Sequence, residues 1–251
     1  MTIIKKNIVF IALIIIWVII SKLNIYSAYI LPSPTKIINV FYTEILNGSL
    51  IKNTYISLLR VFIGFSISFI LAFIFGIMFG IKENIFKYFE NILEFIRNIP
   101  PISLIPLLIL WFGIGEKSKI IIISLATFFP MFINIRYGIK NADKKLIEVG
   151  KSLGFSKVKI FFYIIMPHSI PNILSGMKIG IGYGFRAIVG AELVAASSGL
   201  GFMILDAQQL SRSDKAIVGI ITIGIVGFLC DYLFSLLIRK ISYYKGNYIE
   251  N

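Results

Sequence analysis

From Val61 to Ile81 the chain runs for 21 residues without a charged side chain. A helix needs about 20 such residues to cross the hydrocarbon core of a bilayer. Apolar runs of this kind recur, and spans are expected at roughly 7–25, 57–81, 99–114, 120–139, 170–195 and 216–238. Their length excludes an outer-membrane barrel, whose strands alternate apolar and polar over about ten residues. Composition agrees: 57% of the 251 residues are hydrophobic and only 15% charged, against about 25% charged in a soluble domain. The expected fold is all-α, a polytopic transmembrane bundle of about six spanning helices, with residues 1–251 forming a single domain.

Two runs need comment. The third is short and holds Pro100, Pro101 and Pro106, so its unpaired backbone groups must be satisfied by a neighbouring helix or a solute path. The first follows Lys5 and Lys6 as a secretory signal would. No small-x-small cleavage site follows it, so it is expected to be a retained helix. Apolar positions 37, 38, 40, 41, 45 and 46 make a helical stripe too short to span, which fits an interfacial helix on the outer face.

The 25 basic residues outnumber the 12 acidic ones. They fall between apolar runs rather than in a patch interleaved with aromatics, so they read as topology signals and nucleic acid is not an expected partner. On the six-span reading, 15 lie on the face shared with the termini and seven on the other. That bias places both termini in the cytoplasm of a cell-membrane protein. The single cysteine, Cys230, excludes an internal disulfide or a paired zinc site, and the single histidine, His168, has no catalytic or metal-binding companions. No catalytic residue, metal or cofactor is expected.

Residues 141–169 form the longest cytoplasmic connection, and connections beyond about 12–15 residues usually have a function. Leu146, Ile147, Val149 and Leu153 stand at helical spacing, and Gly154 follows as a stop. Ile160 to Ile165 begins a second apolar run, which Pro167 is expected to end. A short helix with one apolar face needs a surface to bury against. Lipid headgroups, helped by the lysines, are one choice; a soluble partner is the other.

Glu148-Val149-Gly150, Gly154 and then Ile164-Ile165-Met166-Pro167 reproduce the spacing E-A-A-x3-G-x9-I-x-L-P. This resembles the signature of ABC importer permeases, with Val149 and Gly150 replacing two alanines and Met166 a leucine. The resemblance continues through Leu31-Pro32-Ser33-Pro34, Ser57-Leu58-Leu59-Arg60-Val61, Ile99-Pro100-Pro101, Ile105-Pro106-Leu107 and Leu110-Trp111-Phe112-Gly113-Ile114-Gly115-Glu116. It ends with Ala191-Glu192 and Ser198-Gly199-Leu200-Gly201. Together these are similar to the permeases that import nitrate, sulfonates and taurine, over about residues 31–240. The resemblance implies a type I importer permease in two copies, two cytoplasmic ATP-binding subunits docked on residues 146–157, and an extracytoplasmic solute-binding protein. At the ATPase contact it implies Glu148 and Gly154, with Gly150 and Pro167 in the same motif. Periodicity adds Leu153 and Phe155 as apolar anchors.

Gly113-Ile114-Gly115-Glu116-Lys117-Ser118 lacks the G-x4-G-K-[ST] spacing of a phosphate loop, and no other segment has it. ATP hydrolysis is therefore expected in a separate subunit. Candidates for the translocation path are Pro100, Pro101, Ser103, Gly180, Arg186 and Glu192. Gly176, Gly180 and Gly184 suit close helix packing within a subunit, a dimer interface or a wall of the path. Arg186 and Glu192 are six residues apart and share a helical face poorly, so their pairing is open. Arg60 is expected to reach the interface along its stem. The rival reading is a self-sufficient secondary carrier or channel, which would show inverted repeats; none is visible.

Overall fold

The computed structural model describes residues 2–23 and 25–244. Lys245, and the side chains of Lys5 and Lys6, lie outside the described part. All regular structure there is helical: α1 (Thr2–Lys22), α2 (Pro34–Leu46), α3 (Ser49–Ile81), α4 (Glu83–Arg97), a 3-10 turn (Pro101–Leu104), α5 (Ile105–Phe112) and α6 (Glu116–Lys140). The chain continues through α7 (Lys144–Ser152), α8 (Lys157–Ile160), a π turn (Phe161–Ile165), α9 (Met166–Ala195), α10 (Leu200–Gln209) and α11 (Ser213–Tyr244).

Among the described residues four stretches are long and apolar enough to cross a membrane: Ser49–Ile81, Glu116–Lys140, Lys157–Val194 and Ser213–Lys240. A fifth arises if Glu83–Arg97 and Pro101–Phe112, bent by 80°, count as one crossing. The difference from six lies in the first and third runs. The first run lies in α1, which is 21 residues long, and Ile11–Lys22 is the apolar part of it whose side chains are described without a break. The third run folds as a 3-10 turn and the eight-residue α5, about 12 Å long at 1.5 Å per residue. Pro101 and Pro106 stand in the first turns of these two elements, where a missing N–H is no loss. They start helices here and do not break one. Pro167 is also corrected: it lies inside the continuous helical stretch Lys157–Val194, and the backbone just before it widens into the π turn.

The described chain forms two compact units. The first takes residues up to Ser57 together with Ala196–Ile225. Helix α2 is opened by Pro34, with the Ser33 hydroxyl accepting from the Lys36 amide at 3.3 Å. Its stripe Ile37, Val40, Phe41 and Ile45 packs with Leu50, Leu200, Met203 and Val218, so that stripe faces protein. Helix α10 has no counterpart among the expected elements. Its first amides are held from α3: Gly199 N–H donates to Asn53 Oδ1 at 2.8 Å and Leu200 N–H to Ser57 Oγ at 2.9 Å.

The second unit takes Leu58–Ala195 and the chain from Val226 onward. Helix α6 runs between α3 and α9, and glycines make both approaches close. A Cβ on Gly64, Gly76 or Gly80 of α3 would stand 2.7, 2.7 and 2.6 Å from Ile123, Ile135 and Ile139. On α9, a Cβ on Gly176, Gly180 or Gly184 would stand 2.8, 3.0 and 3.1 Å from Asn134, Met131 and Thr127. Phe65, Phe79, Phe86 and Phe132 fill the space alongside. At Gly76 the neighbours are the branched Ile135 side chain and the Arg136 backbone N, which have little room to yield. Gly76→Leu should therefore cost about 1–3 kcal/mol by overpacking. A thermal unfolding scan of the solubilised protein should show a lowered midpoint, with Ile14→Leu on the exposed face of α1 as the silent control. An unchanged midpoint for Gly76→Leu would contradict this packing.

Candidate functional site

The 141–169 connection is ordered from end to end. Asp143 caps α7, its carboxylate accepting from the Lys145 amide at 2.8 Å. The helix ends in a Schellman turn: Gly154 N–H donates to Lys151 O and Phe155 N–H to Gly150 O, each at 2.9 Å. This turn requires Gly154 at φ +74°, a conformation that costs other residues a Cβ clash. Ser156 then caps α8 by accepting from the Lys159 amide at 3.3 Å. Gly150 is the buried residue of α7, and a Cβ there would stand 2.7 Å from Ile164 Cδ1. The short helix is thus seated on the segment that leads into α9.

What it leaves uncovered is apolar. Leu146, Val149, Leu153, Val158 and Phe162 are 52–67% exposed, and Glu148 is exposed among them. Phe155 is half-buried, with the Lys159 ammonium 4.0 Å from its ring centre. Leu153 is therefore free to serve as an anchor, whereas Phe155 is partly committed to its own chain. Only Asn141 to Asp143 separate α6 from α7, so α7 is bracketed by two helices that pack along each other.

At the opposite end of α6 lies a cluster that sequence spacing does not show. Arg60 on α3, 3% exposed, donates through Nε and Nη2 to the two carboxylate oxygens of Glu116, each at 2.6 Å. Its Nη1 donates to Glu192 Oε1 at 2.7 Å. Lys119 Nζ completes the group with a 3.0 Å bond to Glu116. Glu116 opens α6, where a negative charge is favoured by the exposed amides of the helix N-terminus. This corrects one expectation and answers a pairing left open. Arg60 does not reach out to the interface, and Glu192, fully buried, pairs with Arg60 and not with Arg186. Glu192 thus ties α9 to α3 through Arg60.

The other path candidates separate. Gly180 is buried against Met131 and Phe65, a close packing position. Pro100 and Ser103 are exposed, the Ser103 hydroxyl donating to Pro100 O at 2.7 Å. Pro101 lines a cavity of about 390 Å³ with Arg97, Leu104, Phe129, Ile179 and Tyr183. Arg186 is exposed on α9, its guanidinium carbon 5.5 Å from the Tyr183 ring centre. Asp231 on α11 pairs with Lys178 at 3.5 Å.

Residues 64–243 match the family model described as the binding-protein-dependent transport system inner membrane component. The chain is 38% identical over 233 residues to the putative aliphatic sulfonates transport permease protein SsuC of Bacillus subtilis (strain 168), covering 93% of this chain and 84% of that one. It is 31% identical over 236 residues to the taurine transport system permease protein TauC of Escherichia coli (strain K12), covering 92% and 86%. In fold it is similar to a chain of the MetNI methionine ABC transporter in an inward-facing conformation, with a TM-score of 0.69 at 15% identity, covering 79% of this chain and 98% of that one.

Proposed function

The chain belongs to the family of binding-protein-dependent transport system inner membrane components, and from that premise we propose that it forms, as a pair, the membrane path of an ATP-driven importer for alkanesulfonates and related small anions. Residues 1–251 act as one permease unit with both termini in the cytoplasm. The observation that carries the reading is the docking surface on α7: a capped helix with an exposed apolar face around Glu148, seated by Gly150 on the lead into α9. Such a face suits a basic, cleft-shaped partner. The relatives named for aliphatic sulfonates and taurine support the solute class.

Two ATP-binding subunits hold the two α7 helices, at Glu148, Leu153 and the Gly154 turn. When ATP draws those subunits together, the α7 helices approach, and each pulls on the α6–α9 pair that brackets it. The pair of permeases then shifts from inward- to outward-facing, receives the solute from an extracytoplasmic binding protein, and returns after hydrolysis. The chain supplies differential contacts in two states and no bond-breaking residue.

In vesicles holding the permease with its ATP-binding subunits and binding protein, ethanesulfonate should accumulate only with ATP. A reporter fused at the C-terminus should read cytoplasmic. Uptake without ATP would overturn the importer reading, and a reporter on the outer side would overturn the topology.

A further inference from the structure

Helix α9 has two faces of opposite character. Gly176, Gly180 and Gly184 are buried against α6 and α3. Ile179, Gly182, Tyr183 and Arg186, at three- and four-residue spacing, are exposed. Among the described residues Arg186 makes no ion pair, and its guanidinium carbon lies 5.5 Å from the Tyr183 ring centre. A bare guanidinium on the exposed face of a spanning helix is too costly against hydrocarbon and borders water or another polar surface. An independent observation describes the space beside it. The 390 Å³ cavity opens beside this face, with Ile179 and Tyr183 in its wall, Arg97 and Asn98 at one side, and Leu104 and Phe129 as apolar lining. A volume of this size, with apolar walls and one lining cation, Arg97, which Glu94 meets at 3.1 Å, fits a small organic anion with a short alkyl part once a second cation stands beside it.

We propose that Arg186, flanked by Tyr183, is the charge-selecting residue of the path, admitting small organic anions and excluding cations at the cavity beside it. The inference rests on the reading of the chain as an import path and adds the residue that sets the sign of what passes. Tyr183 joins the two parts, with one side of its ring in the cavity wall and the guanidinium of Arg186 nearby.

The test uses the full chain assembled with its ATP-binding subunits in nanodiscs, in a Cys230→Ser background, with Gly182→Cys as the reporter. A Cβ at Gly182 would meet nothing within 4 Å, and the residue lies one turn from Arg186. Labelling rates are measured with an anionic and a cationic methanethiosulfonate of similar size. The introduced thiol should react with both, the anionic reagent being favoured. Arg186→Gln should lower the anionic-to-cationic ratio on the order of tenfold, since a unit charge a few ångströms away acts on the two reagents with opposite sign. Arg186→Lys should keep the ratio. If Arg186→Gln fails to assemble, raising the salt from 0.05 to 1 M (about 14 to 3 Å of screening length) should shrink the ratio in the reporter protein itself. An unreactive thiol would mean that the face is covered in the assembly and would overturn the proposal. So would a ratio indifferent to Arg186→Gln or to salt. A shifted ratio without ethanesulfonate uptake would instead sink the sulfonate reading and leave the charge selection standing.

Discussion

Gly154→Val should abolish uptake while leaving the protein in the membrane. The turn that ends α7 needs φ +74° at this position, and a left-handed conformation costs an ordinary L-residue roughly 1–2 kcal/mol, more when it is β-branched. Refusing that conformation undoes the bonds from Gly154 to Lys151 and from Phe155 to Gly150, and Leu153 and Phe155 leave their places. Gly154→Asn should be milder, because asparagine tolerates the left-handed region. Glu148→Ala separates shape from charge: the side chain is exposed, so folding is spared and only the partner contact is lost. The checks are uptake and co-purification with the ATP-binding subunit at matched membrane levels. Normal values for both Gly154→Val and Glu148→Ala would remove α7 as the docking element.

Arg60→Met should be the most damaging single change to stability. It leaves Glu192 fully buried without its cation, and breaking a buried pair from one side costs about 3–5 kcal/mol. The double change Arg60→Met with Glu192→Gln removes both charges and should recover much of that loss. Thermal unfolding of the solubilised protein and its yield from membranes report both effects. A single variant that unfolds at the wild-type temperature, or a double variant no better than the single, would show that the ion pair is not what holds α3 to α9.

The apolar runs that form α3, α6, α9 and α11 are legible because lipid demands length and apolarity, and both can be read from one stretch of sequence. The α7 cap, its stop at Gly154 and its exposed apolar positions are legible for the same local reason. Helix α4 carries a readable signal in Ile85, Phe89, Ile92 and Ile96 at three- and four-residue spacing, masked by the three basic and three acidic residues that make 82–97 look like a charged loop. The glycines of α3 resemble those of α9 in spacing only at Gly76 and Gly80, so their role against Ile135 and Ile139 emerges from packing. The Arg60 cluster joins residues 56 and 132 positions apart. Each charge alone suggests a different fate, and only the tertiary fold brings them within hydrogen-bonding distance.

The makeup of that cluster bears on how the protein meets the membrane potential. Two cations, Arg60 and Lys119, stand with two carboxylates, Glu116 and Glu192, so their formal charges cancel. Carrying one elementary charge through the field costs or yields about 2.3 kcal/mol per 100 mV. A group that moved as a neutral unit would do no such work, so this cluster by itself would add no voltage dependence to the proposed switch between states. Removal of Arg60 alone would leave one negative charge uncompensated and make that switch sensitive to voltage.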